Sequence, residues 1–239
     1  MLSVIISTSD ELSNSIFWET LSFLNDRSDI QSIVIINQKQ CRETYEKIIK
    51  QYPNIVVEHS NSNNRAARLN EGLAKSKHDL ILYQHPRTYL EPDAYDYILN
   101  FGNKIHWGAF EHQFDFSHPV LQFTSWYSNN IRLKRGQIAY LDHCIFINKK
   151  FYDIKEITIP EVDIFEDTIL SQQLSKKHPP TTLPHKATTS SIRFKKNGVF
   201  RQSLLNQALK LGFYLGIDHQ KMNKLYEKGL SLNSKYTKK

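Results

Sequence analysis

Residues 3–36 read SVIISTSDELSNSIFWETLSFLNDRSDIQSIVII. The segment opens with an apolar, β-branched run at 3–7 and closes with a second at 33–36, and polar residues bound both. Such runs are typical of strands buried on both faces of a parallel sheet. Apolar residues recur between them at helical spacing: Leu12, Ile16, Phe17, Leu21 and Leu24. The segment therefore predicts a strand–helix–strand unit.

A second unit of the same plan follows. The pattern predicts a helix at 44–52, a strand at 55–57, a helix at 65–77 and a strand at 79–83. The first hundred residues thus predict a nucleotide-binding type of α/β half. In such a half the ligand lies outside the carboxyl ends of the strands, so functional residues are expected there.

The alternation is less regular after residue 92. We predict helices at 94–101 and 168–177, strands at 106–116 and 139–147, and helical segments over 199–230. Six aromatic residues could stack on a sugar or lipid acceptor, but aromatic residues more often belong to the core. They are Phe110, Phe114, Phe116, Phe123, Trp126 and Tyr127.

Composition places the chain among ordinary globular proteins. Its 239 residues are 40% hydrophobic and 23% charged, which excludes collagen-like and wholly disordered classes. No apolar run is long enough to span a membrane, and the start lacks a secretory signal. The two cysteines, Cys41 and Cys144, form no CxxC pair. These features predict a cytoplasmic protein.

The positive charge is concentrated at the end of the chain. Residues 195–239 hold ten Lys or Arg and two acids, a net of +8 against +7 for the whole chain. A basic tail of this kind fits an anionic surface, either a membrane or a nucleic acid. The alternative is a terminal helix that only faces water. No nucleic-acid-binding signature is present, so we expect no nucleic acid partner.

Several motifs occur in a fixed order along the chain. NRAARLNEGLA at 64–74 precedes DLILY at 79–83 and QHPRT at 84–88. GAF at 108–110, YLDH at 140–143 and FED at 165–167 follow, and the last block includes Leu183-Pro184, Arg193-Phe194, Gly198-Val199 and Leu215-Gly216-Ile217. This order resembles family 2 glycosyltransferases, in particular a small bacterial subgroup of arsenosugar-type or uncharacterised members. The resemblance extends from about residue 3 to residue 226.

The resemblance implies a GT-A fold of the nucleotide-diphospho-sugar transferase type, in which helices flank a mostly parallel central α/β sheet. It divides the chain into a GT-A-like domain at 1–198 and a basic helical extension at 199–239. It also implies an inverting, hexosyltransferase-like transfer from a nucleoside diphosphate sugar to an acceptor hydroxyl. The acceptor would be a saccharide, a lipid-linked sugar or a small molecule.

The acidic pair Glu166-Asp167 matches the catalytic motif of the family. The resemblance makes Asp167 the general base and lets Glu166 orient it or bind the acceptor. A helix N-terminus favours ionised carboxylates. In the alternative interpretation the two acids only cap a helix, because Asp and Glu are common in a first turn.

The resemblance also supplies the remaining candidate residues. The donor-binding candidates are Thr8, Glu11, Asn37, Arg65, Asn70, Arg87 and Thr88. The acceptor-side candidates are Asp142, His143 and Arg193, of which Arg193 also matches one of a basic pair near the diphosphate. A histidine such as His143 is more often a structural residue than a base.

Two donor positions depart from the family pattern. Arg87 stands where relatives carry an aspartate that binds a divalent cation, Mn or Mg, and a guanidinium cannot ligate a cation. Asn37 stands where relatives place an aspartate that holds the nucleoside. The chain therefore offers no metal ligand at this motif, and the cofactor requirement is open.

Two hypotheses account for Arg87. In the first, its guanidinium replaces the metal and stabilises the leaving diphosphate. In the second, the donor site has decayed and the protein is a catalytically impaired binding or scaffold protein. The first requires Arg87 and Asp167 to face one cleft.

The segment 204–215 and its flanking lysines could lie on a bilayer surface. This pattern predicts a peripheral protein at the inner membrane face.

Overall fold

The structure is a computed structural model and describes residues 1–8, 13–37 and 42–228. The strands are β1 (Leu2–Thr8), β2 (Ile30–Asn37), β3 (Val56–Ser60), β4 (Leu80–Tyr83), β5 (Thr88–Leu90), β6 (Trp107–Phe114), β7 (Ile145–Asn148) and β8 (Thr181–Thr189). The helices of the first half are α1 (Ser15–Asn25), α2 (Arg42–Gln51), α3 (Arg65–Lys75), α4 (Pro92–Phe101) and α5 (Pro119–Tyr127). Those of the second half are α6 (Ile154–Ile157), α7 (Glu166–Ser175), α8 (Ile192–Asn197), α9 (Val199–Tyr214) and α10 (His219–Lys228).

The eight strands form one sheet in the order β3-β2-β1-β4-β7-β6-β8-β5. Strand β1 pairs in parallel with β2 and β4, β2 with β3, and β6 with β8. Strand β7 runs antiparallel to β4 and β6, and β5 runs antiparallel to β8. The predicted α/β class, with a mostly parallel sheet flanked by helices, is confirmed.

Each face of the sheet has its own hydrophobic core. Val4 and Ile6 of β1 pack with the layer that contains α1 and α4. Ile5 packs on the other face, with α3 and α7. Because successive side chains of a strand point to opposite faces, a strand covered on both sides must be apolar throughout. This explains why the run at 3–7 was recognisable in the sequence.

The predicted strand at 139–147 was wrong in its first half. A short 3-10 turn occupies Leu141–His143, and β7 begins only at Ile145. Cys144 between them has a φ of 55°, in the left-handed region, which interrupts an extended chain. The Leu141 N–H donates to the Asp167 carboxylate rather than to a neighbouring strand, at 3.0 Å. A tertiary contact therefore overrides the local β propensity.

The expectation that the six aromatic residues belong to the core holds for only part of the group. Phe110 is fully buried, whereas Phe123 is 62% exposed and Trp126 is 52% exposed. Both exposed residues lie on α5, which packs against α9.

Within the described part of the chain, no helix combines the length and the apolar character needed to cross a bilayer.

Candidate active site

A cavity of about 360 Å³ opens where β1 and β4 end. Its walls come from the end of β1, the start of α3, the turn after β4, the segment before β7, the start of α7, and helices α8, α9 and α10. This is the position that an α/β sheet provides for a ligand, outside the carboxyl ends of its strands. Both Arg87 and Asp167 line this cavity.

Asp167 is the second residue of α7 and is 7% exposed. Its Oδ2 accepts the Leu141 N–H at 3.0 Å, and its Oδ1 accepts the Thr168 N–H at 2.7 Å. Burial raises the pKa of Asp167 to about 7; the adjacent Glu166 also raises it, and Arg65 opposes the rise. A carboxylate with a pKa near 7 matches the requirement for a general base at neutral pH.

Glu166 lies behind Arg65 and is 2% exposed. The Arg65 Nε donates to Glu166 Oε1 at 2.5 Å, and the Arg65 Nη2 forms an ion pair with the same oxygen. Oε2 of Glu166 has no hydrogen-bond partner among the described residues. Arg65 itself reaches the cavity wall. The pair therefore positions a guanidinium beside Asp167.

The turn after β4 brings His85 and Arg87 to the cavity. The Arg87 N–H donates to His85 Nδ1 at 3.2 Å, which assigns the ring proton to Nε2. Burial lowers the pKa of His85 to about 3, and the nearby Arg65, Arg193 and Arg87 lower it further. His85 is therefore neutral at physiological pH, and the positive charge of this turn comes from Arg87.

Asp142 and Arg193 also line the cavity. Asp142 Oδ1 lies 3.7 Å from His85 Nδ1. Although burial disfavours its ionised form, the surrounding histidines and the arginines Arg193 and Arg65 lower the pKa of Asp142. The Arg193 Nη1 donates to the Tyr226 hydroxyl on α10. The C-terminal helices thus fix the guanidinium of Arg193.

His143 lines the cavity, but its two ring nitrogens are engaged. Nδ1 donates to the Phe110 carbonyl at 2.9 Å, and Nε2 accepts from the Ser128 hydroxyl at 2.8 Å. Burial lowers the pKa of His143 to about 3. These contacts give the ring a structural role and leave its part in acceptor binding a prediction.

Three donor-side candidates do not reach the cavity wall. The Asn70 amide donates to and accepts from the Ile159 backbone, at 2.8 and 2.9 Å. The Asn37 amide donates to Ser62 O and Asn63 Oδ1. The Thr88 hydroxyl pairs with that of Thr189 at 2.8 Å. These polar groups hold segments of the fold together.

The two remaining donor-side candidates differ in placement. Thr8 lines the cavity, and its buried hydroxyl has no hydrogen-bond partner among the described residues. Glu11 lies outside the described residues.

The sequence did not identify several of the polar residues that line the cavity. Arg68 follows Arg65 by one helical turn, and its Nε donates to Ser7 Oγ at 2.9 Å. The i and i+3 spacing of the two arginines was a usable signal. Lys210 of α9 and Tyr140 also reach the wall, and no local pattern marked them.

The described residues do not fit a divalent cation. The resemblance places a metal-binding aspartate at the position of Arg87, which has hydrogen-bond donors only. No group of three His, Cys, Asp or Glu side chains in residues 1–8, 13–37 and 42–228 is arranged to hold a metal ion. The local positive charge at this wall comes from guanidinium groups.

Comparison with solved structures identifies the class of the fold. No family model and no curated protein matches the chain. The fold is similar to that of S. aureus TarS, a GT-A-like glycosyltransferase. Residues 1–349 of TarS in complex with UDP match with a TM-score of 0.57 and 14% identity, over 79% of this chain and 60% of that chain.

Two further structures have similar scores. TarS 1–349 in complex with UDP-GlcNAc gives a TM-score of 0.55 at 14% identity, over 80% of this chain and 56% of that one. A mycobacterial protein gives 0.51 at 13% identity, over 80% and 65%. The chain thus spans less than two thirds of the length of these neighbours. At these identities the likeness shows that the chain shares the α/β fold of these structures.

Proposed function

We propose that this chain is an inverting glycosyltransferase that moves a sugar from a nucleoside diphosphate to an acceptor hydroxyl. One observation carries the proposal: the Asp167 carboxylate, with its pKa raised to about 7, shares a single cavity with the guanidinium groups of Arg87 and Arg193. Inverting transfer needs both a base for the acceptor and positive charge for the leaving group.

In the proposed reaction Asp167 acts on the acceptor, and the arginines act on the leaving group. Asp167 accepts the proton of the acceptor hydroxyl as that oxygen attacks the anomeric carbon. The bond from that carbon to the diphosphate oxygen breaks, and the nucleoside diphosphate leaves with the electron pair. Attack from the side opposite the leaving group inverts the anomeric configuration. Asp167 is held for this step by the backbone N–H groups of Leu141 and Thr168.

Arg87 supplies positive charge at the diphosphate in this proposal. A guanidinium can bind two phosphate oxygens at once, and it does so without a cation. Arg193, fixed by Tyr226, and Arg65, fixed by Glu166, add to the same field. TarS has been crystallised with UDP and UDP-GlcNAc, so a uridine nucleotide is the first donor class to examine.

Calorimetry with UDP and UDP-GlcNAc tests the donor site. The wild-type chain should bind UDP without added metal, and Arg87→Gln should weaken binding by about 10- to 100-fold, as expected for loss of a charge-assisted hydrogen bond. Arg135→Gln, an exposed arginine outside the cavity, is the matched control. Unchanged binding by the Arg87 variant would contradict the assignment, and NMR of the product reports the anomeric configuration.

A catalytically impaired binding or scaffold protein is the second candidate function. The observation that favours it is the arginine at the position where the resemblance expects a metal-binding aspartate. Under this alternative the chain would bind a nucleotide or saccharide with no turnover, and Asp167→Asn would bind as tightly as the wild type. Measurable transfer that depends on Asp167 would exclude it.

We propose that the protein acts in the cytoplasm, at the inner membrane face, with α9 as the membrane-facing element. The outward side of α9 carries Phe200, Leu204 and Leu211, which are 74%, 73% and 61% exposed. They recur at helical spacing, and the segment 195–228 that contains them carries seven Lys or Arg and two acids. An apolar stripe among lysines and arginines is complementary to an anionic lipid surface.

Vesicle co-sedimentation tests this location. The wild-type chain should pellet with vesicles that contain phosphatidylglycerol and much less with neutral phosphatidylcholine. Leu204→Gln/Leu211→Gln should remain in the supernatant, whereas Ile154→Gln, at an exposed position on α6, should behave as the wild type. Concentration-dependent dimerisation lost in the double variant, with no lipid binding, would instead assign the stripe to a second copy.

A further inference from the structure

A second pair of cations, Lys210 and Arg132, lies against the ring of Tyr140, a residue that lines the cavity. The Lys210 Nζ is 5.8 Å from the ring centre of Tyr140 and 5.8 Å from that of Tyr127. The Arg132 Cζ is 4.5 Å from the centre of the Tyr140 ring. Lys210 and Tyr140 line the cavity, and Arg132 is buried next to them, at 5% exposure.

Neither cation has an anionic partner among the described residues. The Nε of Arg132 is buried without a hydrogen bond, and the side chain forms no ion pair there. The Lys210 side chain forms no ion pair among the described residues, and its Nζ faces the two tyrosine rings. Burial lowers the pKa of Lys210 to about 8, and Arg132 lowers it further. A buried arginine and a half-buried lysine that repel each other without a counter-ion among the described residues carry a cost that a bound anion would relieve.

This group is separate from the arginines at the donor wall. Arg87 belongs to the turn after β4 and Arg193 to α8, whereas Lys210 lies on α9 and Arg132 on the segment that follows α5. Tyr140 directly precedes Leu141, whose N–H holds the Asp167 carboxylate. The Tyr140 group therefore adjoins the base, and in the proposed reaction the acceptor hydroxyl must also lie next to that base.

We infer that Lys210 and Arg132 form a subsite for an anionic group, a phosphate, on the acceptor. The inference rests on the proposed function, because it takes Asp167 as the base for that acceptor. Two adjacent cations match the charge of a phosphate better than that of a single carboxylate. Lys210 contacts the phosphate, and Arg132 is a positioning residue whose field and packing hold the Tyr140 ring.

Titration of the full chain with inorganic phosphate at constant ionic strength tests this subsite. With saturating UDP present, the wild-type chain should still bind phosphate. Lys210→Gln should raise the dissociation constant for phosphate about tenfold or more, the loss expected for one charge-assisted contact, and leave UDP binding unchanged. Lys210→Arg should restore most of the affinity. Lys224→Gln, at an exposed position on α10, is the matched control.

The outcomes separate this inference from the proposed function. If Lys210→Gln binds phosphate as tightly as the wild type, the subsite is overturned. It is also overturned if Lys210→Gln loses UDP binding together with phosphate binding. If UDP does not bind the wild type, the donor proposal fails. The subsite is still supported in that case if Arg87→Gln binds phosphate and Lys210→Gln does not. Acetate bound as tightly as phosphate overturns the choice of phosphate.

Two organic phosphates distinguish the source of the group. Glycerol 3-phosphate represents a soluble acceptor, and a short-chain phosphatidic acid represents a lipid-linked one. Preference for the lipid form in the wild type, lost in Lys210→Gln, assigns the subsite to a lipid-linked acceptor. Equal affinities, both lost in that variant, assign it to a soluble phosphate. If Lys210→Gln binds glycerol 3-phosphate and the phosphatidic acid as tightly as the wild type does, the inference is overturned.

Discussion

The Arg65 guanidinium and the Glu166 carboxylate, 101 residues apart in the chain, form an ion pair at the first residues of α3 and α7, in which the carboxylate is buried and the guanidinium is partly exposed. The two members of the pair have opposite effects on the pKa of Asp167. Glu166 raises the pKa of Asp167, and Arg65 lowers it. Burial is the largest cause of the raised pKa, and together with these two charges it leaves the base with a pKa of about 7.

Arg65→Met should therefore move the pH dependence of kcat/KM to higher pH. Removal of the cation leaves Glu166 and burial to raise the Asp167 pKa further, by about one unit or more. Arg65→Lys keeps the charge and should keep the midpoint close to that of the wild type. A pH–rate profile of each variant measures the shift, and identical midpoints for the methionine variant and the wild type would exclude the coupling.

Asp167→Asn should lower kcat by about 10²- to 10⁴-fold, the range for loss of a general base. The pKa of the carboxyl is near 4 in the unfolded chain and about 7 in the folded one. The folded wild type therefore holds this proton more tightly and loses stability as pH rises from about 4 through 7. Asparagine does not ionise, so the free energy of unfolding should shift in favour of the variant between pH 5 and pH 8.

Denaturant unfolding of both proteins at the two pH values measures that shift. A difference in stability that does not change with pH would contradict a raised Asp167 pKa, whatever the activity of the variant.

Chelation should have little effect on the wild-type reaction. If the Arg87 guanidinium stabilises the leaving diphosphate, EDTA should change the initial rate less than twofold and added manganese should not raise it. Arg87→Lys keeps one charge but loses the bidentate geometry, so it should retain more activity than Arg87→Gln. Activity that disappears with EDTA and returns with manganese would disprove this role for Arg87.

Gly108→Ala should destabilise the fold. A Cβ at Gly108 would lie 2.1 Å from the carbonyl oxygen of Thr181, its register partner in the parallel pair of β6 and β8. The obstructing atom belongs to the backbone, so the strands must separate, at a cost of about 1–3 kcal/mol or more. Chemical denaturation measures this change. A loss below about 0.5 kcal/mol would mean that the sheet adjusts freely here.

The sequence predicted best the elements whose burial is set by local pattern. Strands β1 and β2 are apolar on both faces because helices cover both, and such runs are visible without knowledge of the partners. The segment before β7 was mispredicted because Leu141 bonds Asp167, a contact made across 26 residues. No local pattern encodes that contact.

The residues of the candidate site were likewise predictable where a local motif marked them and not where tertiary packing places them. Motif position led to Asp167, Arg65 and Arg87, which all line the cavity. Asn70 has suitable chemistry, but the Ile159 backbone uses both ends of its amide. Lys210 was missed because its approach to the cavity depends on how α9 folds back against α5, which spacing along the chain does not specify.

Helix α9 has one side on the cavity and the other on the molecular surface. Gln202, Asn206 and Lys210 face inward, and Phe200 and Leu204 face outward. A molecule that binds the outer residues therefore contacts the same helix that lines the cavity. The rate of the proposed reaction should consequently change with detergents and lipids that bind α9 from outside and never enter the cavity.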